Sequence, residues 1–260
     1  MDKVRAHYLE ACSIMGRERV LGVFYQGSGN YGLDYDGSDV DTKCIVLPTL
    51  EQLITGKTTN YTHIRDNDEH IDFKDIRLMF ETFRKCNLNY IEIMFTKYFV
   101  VNEDYAPLWD VVRGERNYIV SLGRGSLLKS IRGIAGEKWH AMEHRYPSRI
   151  EWLDAFGYDP KQLHHLLRIQ ELLTRYLDGE ALEDCLVSKT PEYLVDVKVG
   201  KYSLDEARQL GKCAFESIQK LCADNEYTVT ATSIERIDKF FDAVSYDSIH
   251  YYIKNWAHNN

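Results

Sequence analysis

Residues 25–41 read YQGSGNYGLDYDGSDVD. Glycines at 27, 29 and 32 come first, and aspartates at 34, 36, 39 and 41 follow. An apolar, β-leaning run, RVLGVFYQ (19–26), leads in, and VDTKCIVLP (40–48) leads out. Both read as strands. Asp39 and Asp41 stand one residue apart at the start of the second. Side chains alternate along a strand, so these carboxylates point the same way while Val40 points into the core. Two like charges facing one cavity repel each other without a cation between them. Paired oxygen ligands of this kind hold Mg²⁺ between a protein and the phosphates of its substrate. Gly27 and Ser28, at the exit of the first strand, offer backbone N–H groups and a hydroxyl to such phosphates without steric obstruction.

Other motifs share these letters. GSGNYG satisfies G-x-G-x-x-G, but that fingerprint opens a helix whose N-terminus holds a pyrophosphate. Here the glycines run into LDYDGSD, a turn-forming stretch. A protein-kinase glycine loop has no HRD-type or DFG segment to go with it. Counted as a calcium loop from Asp34, the stretch puts Asp39 where the invariant glycine belongs and Ile45 where the bidentate glutamate belongs. An acidic surface loop between two strands is the plain alternative, and it leaves the order of glycines and acids without a reason.

Gly27-Ser28, Tyr31-Gly32 and Ser38-Asp39-Val40-Asp41 together resemble the G-S … D-x-D signature of the DNA polymerase β-like nucleotidyltransferase superfamily. The fuller pattern, G-S-x-x-Y-G … S-D-x-D, is similar to that of the predicted nucleotidyltransferases associated with RNA repair in bacteria and their phages. Gly29-Asn30 departs from it, because relatives often carry a basic and a small residue there. The resemblance implies an α+β fold: a polymerase β-like head with a mixed sheet and flanking helices, followed by an α-helical domain. It also implies Asp39 and Asp41 as catalytic metal ligands, with Gly27, Ser28, Tyr31 and Ser38 at the nucleotide. A third acid is expected from a later strand. EHIDFKDIRLMF (69–80) supplies Asp72, which lies between Ile71 and Phe73 and so faces away from two apolar neighbours. Asp75 is the weaker candidate because it suits a helix N-cap.

The remaining chain changes texture near residue 104. Strand signals give way to helical patterns over about 105–143, 159–178, 203–224 and 234–256. The expected division is therefore a catalytic domain at 1–103 and a helical substrate- or nucleotide-binding domain at 104–260. An opening helix closed by Gly16, a short helix at LEQLITG followed by a polar connection, and a helix over DIRLMFETFRKC belong to the first part. NYIEIMFTKYFVVN has strand composition, although IEIMF equally suits a helix end. VSKTPEYLVDVKVGKYSL (187–204) reads as a loop. In YDPKQLHHLLRIQELL, Asp159-Pro160 starts a helix on which Lys161, His165 and Arg168 share one face. The same K-x-x-x-H-x-x-R spacing resembles the helical segment of the RNA-repair-associated family, and it implies a cationic stripe that binds nucleotide. Arg124, Lys129, Arg132, Lys138 and Arg145 form a looser basic stretch, either a phosphate groove or a solvated helix side.

At 260 residues, 44% hydrophobic and 12% aromatic, the chain buries a sizeable core. A net charge of -8 excludes general attraction to nucleic acid, so a polyanionic ligand needs a local basic patch or bound cations. Six scattered cysteines without metal spacing suit buried, reduced thiols and a cytoplasmic protein. No run approaches the roughly 18 apolar residues of a membrane span. Taken together, the expectation is a nucleotidyltransferase using two Mg²⁺ ions, with Mn²⁺ as the alternative. It moves a nucleotide from an NTP to a hydroxyl on an RNA end, a protein or a small molecule. A non-catalytic nucleotide sensor or regulatory partner using the same pocket is the alternative function.

Overall fold

The computed structural model describes residues 1–33, 40–66 and 68–256. Five strands, β1 (Val20–Gln26), β2 (Asp41–Val46), β3 (Asn60–Ile64), β4 (His70–Asp75) and β5 (Phe99–Val101), form one mixed sheet in the order β3-β4-β2-β1-β5. Only the β2–β4 pair is parallel among these neighbours. The twelve helices of the described residues are α1 (Asp2–Met15), α2 (Leu50–Thr55), α3 (Ile76–Arg84), α4 (Leu88–Phe95), α5 (Ala106–Leu122), α6 (Arg124–Ala141), α7 (Ile150–Phe156), α8 (Pro160–Leu177), α9 (Leu182–Leu186), α10 (Pro191–Lys198), α11 (Leu204–Asp224) and α12 (Ala231–Asn255). The protein is thus α+β, with a five-stranded mixed sheet and a mostly helical C-terminal part. Among the described residues no helix is long and apolar enough to cross a membrane.

The chain clusters into two compact units. One contains described residues 1–30, 40–66, 68–124 and 229–256; the other contains 31–33 and 125–228. These units are drawn differently from the division at 103/104, because α5 packs on the sheet and α12 packs on α3 and α5. Phe241 of α12 lies 5.0 Å from Phe80 and 5.7 Å from Phe83 of α3, ring centre to ring centre. Trp109 of α5 meets Phe24 of β1 at 4.3 Å. These fully buried rings draw the last helix to the sheet unit through contacts more than a hundred residues apart in sequence. On the other face of the sheet, α1 covers Val23, Cys44, Ile71 and Phe73 with Val4 and Ala11, and Val40 packs at the edge of this cluster.

Several elements differ from the sequence reading. The polar connection after α2 contains β3, an edge strand whose side chains are largely exposed and therefore carry no apolar alternation. The run LNYIEIMF is α4, because Asn87 caps it by accepting the Asn89 N–H at 3.2 Å, leaving only Phe99–Val101 as strand. The stretch at 187–204 is not all loop: Pro191 occupies the first turn of α10, where its missing N–H is harmless, and Leu194 and Val197 are buried one turn apart. The caps at Asp75 and Asp159 form as expected, each side chain accepting a backbone N–H from two residues on. All six cysteines are free thiols, four of them buried.

Candidate active site

The glycine turn hangs from the end of β1. Gly27 has φ +147°, a backbone setting that side chains disfavour. A single helical turn, Ser28–Tyr31, follows, and the Asn30 N–H donates to the Gly27 carbonyl at 3.1 Å. Tyr25 organises the turn from below: its hydroxyl accepts the Gly29 N–H at 3.1 Å, and its carbonyl accepts from the Asn30 side chain at 2.8 Å. A Cβ at Gly29 would sit 2.9 Å from the Tyr25 ring. Asn30 is held from its other end by the Thr96 hydroxyl, which donates to Oδ1 at 2.6 Å. The Gly29-Asn30 departure is therefore a packing solution. It spends both positions on holding the turn and places no cation there.

Strand register decides what lies beside the turn. Gln26 pairs with Asp41 across β1–β2, and Lys43 pairs with Asp72 across β2–β4. The turn, Asp41 and Asp72 are thus at one end of one sheet. Asp41 and Lys43 alternate with Thr42, so Asp41 and Asp72 occupy the sheet face opposite Cys44, Ile71 and α1. Asp41 keeps 48% of its side chain exposed. Its Oδ1 accepts the His70 N–H at 3.2 Å and lies 3.3 Å from His70 Nδ1. Asp72 is 29% exposed and is gripped by both cross-strand neighbours: Lys43 Nζ donates to Oδ2 at 3.2 Å and the Thr62 hydroxyl donates to Oδ1 at 3.1 Å. Lys43 is nearly buried and lies 4.1 Å from the centre of the Tyr90 ring.

Ser38 and Asp39 lie outside the described residues. Among the described residues, no three His, Cys, Asp or Glu side chains gather as a metal-holding group. Asp41 and Asp72 offer hard carboxylate oxygens on neighbouring strands, both partly open to solvent. That donor chemistry fits Mg²⁺ or Mn²⁺.

Tyr31, Lys161, His165 and Arg168 belong to the helical unit. Here the structure joins two candidates distant in sequence: the Arg168 guanidinium lies 3.6 Å from the centre of the Tyr31 ring, a cation–π contact. The Tyr31 carbonyl also accepts the Ser188 N–H at 3.0 Å. The expected cationic stripe needs correction. Arg168 is buried and Lys161 is exposed. Burial, reinforced by the nearby Arg168 charge, pushes His165 well below its ordinary pKa, so it is neutral at neutral pH. His164 is buried, donates Nδ1–H to the Leu194 carbonyl at 2.8 Å, and is lowered to about 4, mainly by burial. The helix face carries two fixed cations, one of which is stacked on an aromatic ring. In the looser basic stretch, Arg132, Lys138 and Arg145 engage Gln219, Glu137 and Asp154. A cavity of about 360 Å³ between α8, α10 and α11 is lined by Leu167, Thr174, Tyr193, Leu194 and Ala214 among others, and none of the candidate residues lines it.

Sequence reasoning overlooked Lys43, Thr62, Tyr90 and His70. Lys43 was legible in principle, two residues beyond Asp41 and so on its face; Thr62 and Tyr90 required the sheet and α4 to be placed. No family model matches the chain, and no curated protein matches it either.

Proposed function

We propose that the protein is a metal-dependent nucleotidyltransferase of polymerase β-like architecture, which moves a nucleotide from an NTP to a hydroxyl acceptor. The observation that supports this reading best is the register that sets the Gly27-Ser28 turn, Asp41 and Asp72 at one end of one sheet, with both carboxylates on one face. Asp41 and Asp72, with Asp39, would hold two Mg²⁺ ions. When bound, such ions lower the pKa of the attacking oxygen and neutralise charge on the leaving group. The Gly27-Ser28 turn orients the triphosphate. Asp72 helps activate the acceptor hydroxyl, whose oxygen forms a bond to the α-phosphorus as the bond to pyrophosphate breaks. An RNA 3′ end is the acceptor favoured by the resemblance, and a protein or metabolite hydroxyl has the same chemistry.

The test is pyrophosphate release from each NTP with Mg²⁺, using labelled nucleotide and a mixed pool of RNA, protein and metabolites as acceptor. Wild type should turn over and Asp39→Ala/Asp41→Ala should not. Equal turnover in the two rejects the assignment. Saturable NTP binding without product across the pool would instead make the protein a nucleotide sensor.

A further inference from the structure

We infer that Lys43 is a positioning residue for Asp72 and sets the affinity of that carboxylate for a divalent ion. The two carboxylates of the proposed site are not equivalent. Asp41 is half-exposed and is met by the backbone and ring of His70. Asp72 is met on Oδ2 by an ammonium and on Oδ1 by a hydroxyl, each from the residue directly across in register. Lys43 shows 6% of its side chain to solvent, and an ammonium so far from water requires a counter-charge. Asp72 supplies it, and the Tyr90 ring, 4.1 Å away, covers the other side. Lys74 lies 5.0 Å from the same ring centre and donates to Asn60 Oδ1 at 3.0 Å, leaving Asp72 to Lys43.

This arrangement has two consequences. A carboxylate carries about four lone-pair sites, so Asp72 can accept a metal ion while keeping both protein partners. The ion then arrives beside a fixed positive charge and binds less tightly than it would to an unpaired aspartate. In return the carboxylate is held in one orientation before any ion arrives, which favours a single coordination geometry. The acid nearest Lys43 is therefore the weaker, better-aligned ligand, and Asp41 the stronger one. The function of the ion rests on the nucleotidyltransferase reading, whereas the effect of Lys43 on binding does not.

The experiment titrates the full chain with Mn²⁺, following free ion by its spin-resonance signal, in wild type, Lys43→Met, Lys43→Arg and Lys43→Met/Asp72→Asn. Lys43→Met keeps the length and removes the charge. It should bind Mn²⁺ about tenfold more tightly, as expected when one charge is removed from within a few ångströms of a partly exposed site. Lys43→Arg should bind like wild type, and adding Asp72→Asn should abolish the gain. With pyrophosphate release as a second readout, Lys43→Met should lose kcat at saturating Mn²⁺ with the KM for NTP unchanged, because orientation is lost while triphosphate contacts remain. If Lys43→Met does not fold, Lys43→Gln serves in its place with the same expected gain. Unchanged or weaker Mn²⁺ binding in a folded neutral variant overturns the inference, as does wild type that binds no Mn²⁺. Wild type that binds Mn²⁺ with the expected Lys43 dependence but turns over no NTP would support the inference while removing the transferase reading.

Discussion

The two faces of the sheet use the same strands for opposite ends. Beneath α1, His7 is fully buried and bonds through Nδ1 to the Thr42 hydroxyl at 2.9 Å and through Nε2 to Glu69 at 3.0 Å. The buried Glu69 also takes Lys3 at 3.0 Å and Arg65 at 2.7 Å. On the other face, Asp41, one residue along β2, is half-exposed, and Asp72 of β4 is partly exposed. Thr42 and its neighbours Asp41 and Lys43 differ only in which way the pleat turns them. A largely buried network contributes to stability, and a partly open carboxylate can exchange partners with a ligand. The proposed chemistry therefore belongs to the second face.

That contrast is open to direct attack, beginning where the effect is largest. Asp72→Asn keeps one acceptor oxygen but removes the charge that compensates the buried Lys43 ammonium. It should lower NTP turnover per folded molecule by about 10³-fold, the size of losing one key electrostatic contact in an active site, and ease denaturant unfolding by about 2–3 kcal/mol. A folded variant with intact turnover would take Asp72 out of the proposed chemistry. His7→Ala should cost stability alone. With a buried hydroxyl and carboxylate losing a partner, unfolding should become easier by about 2–3 kcal/mol, and turnover per folded molecule should stay within about twofold. A collapse of turnover without loss of stability would show that the inner network takes part in the chemistry.

The helical unit gives a control that contains neither Asp41 nor Asp72. His164 titrates near pH 4 when folded and near 6.5 when unfolded, so the unfolded chain takes up the extra proton in that window. Its contribution is fully present above about pH 6.5 and is lost as pH falls toward 4, by up to about 3 kcal/mol. His7 and His165, both lowered chiefly by burial, act in the same direction. Urea midpoints measured from pH 7.5 to 4 should fall less steeply in His164→Gln than in wild type; identical slopes would remove His164 as a cause. The smallest effect is expected at Lys161. Because it is exposed, Lys161→Ala should leave the urea midpoint equivalent to within about 0.5 kcal/mol of wild type. A larger loss would show that Lys161 holds its helix in place.

Much of the sheet end is legible in the amino-acid sequence. The alternation of Asp41 with Val40, the apolar run of β1, the cap at Asp75 and the Asp159-Pro160 start of α8 are statements about neighbours in the chain, and each stands. The misreadings share a cause. β3 is an edge strand with largely exposed side chains, so its place is set by pairing with β4. NYIEIMFTKYFVVN, strand-like but with IEIMF equally suited to a helix end, divides because Asn87 caps α4 and β5 takes up only the tail. Lys161, His165 and Arg168 do lie on one helix, yet spacing says nothing of the burial that neutralises His165 or of the Tyr31 ring that receives Arg168.

By itself the sequence determined the facing of alternate residues around Asp41 and the starts of the capped helices, since periodicity and capping act over four residues or fewer. Tertiary structure decided that β4 lies parallel to β2 with Asp72 opposite Lys43, that His7 reaches Glu69, and that α12 returns to the sheet unit. Each of these joins residues at least 29 positions apart. Such contacts form where buried area and charge compensation outweigh the entropy of closing the chain, a balance that no local pattern records.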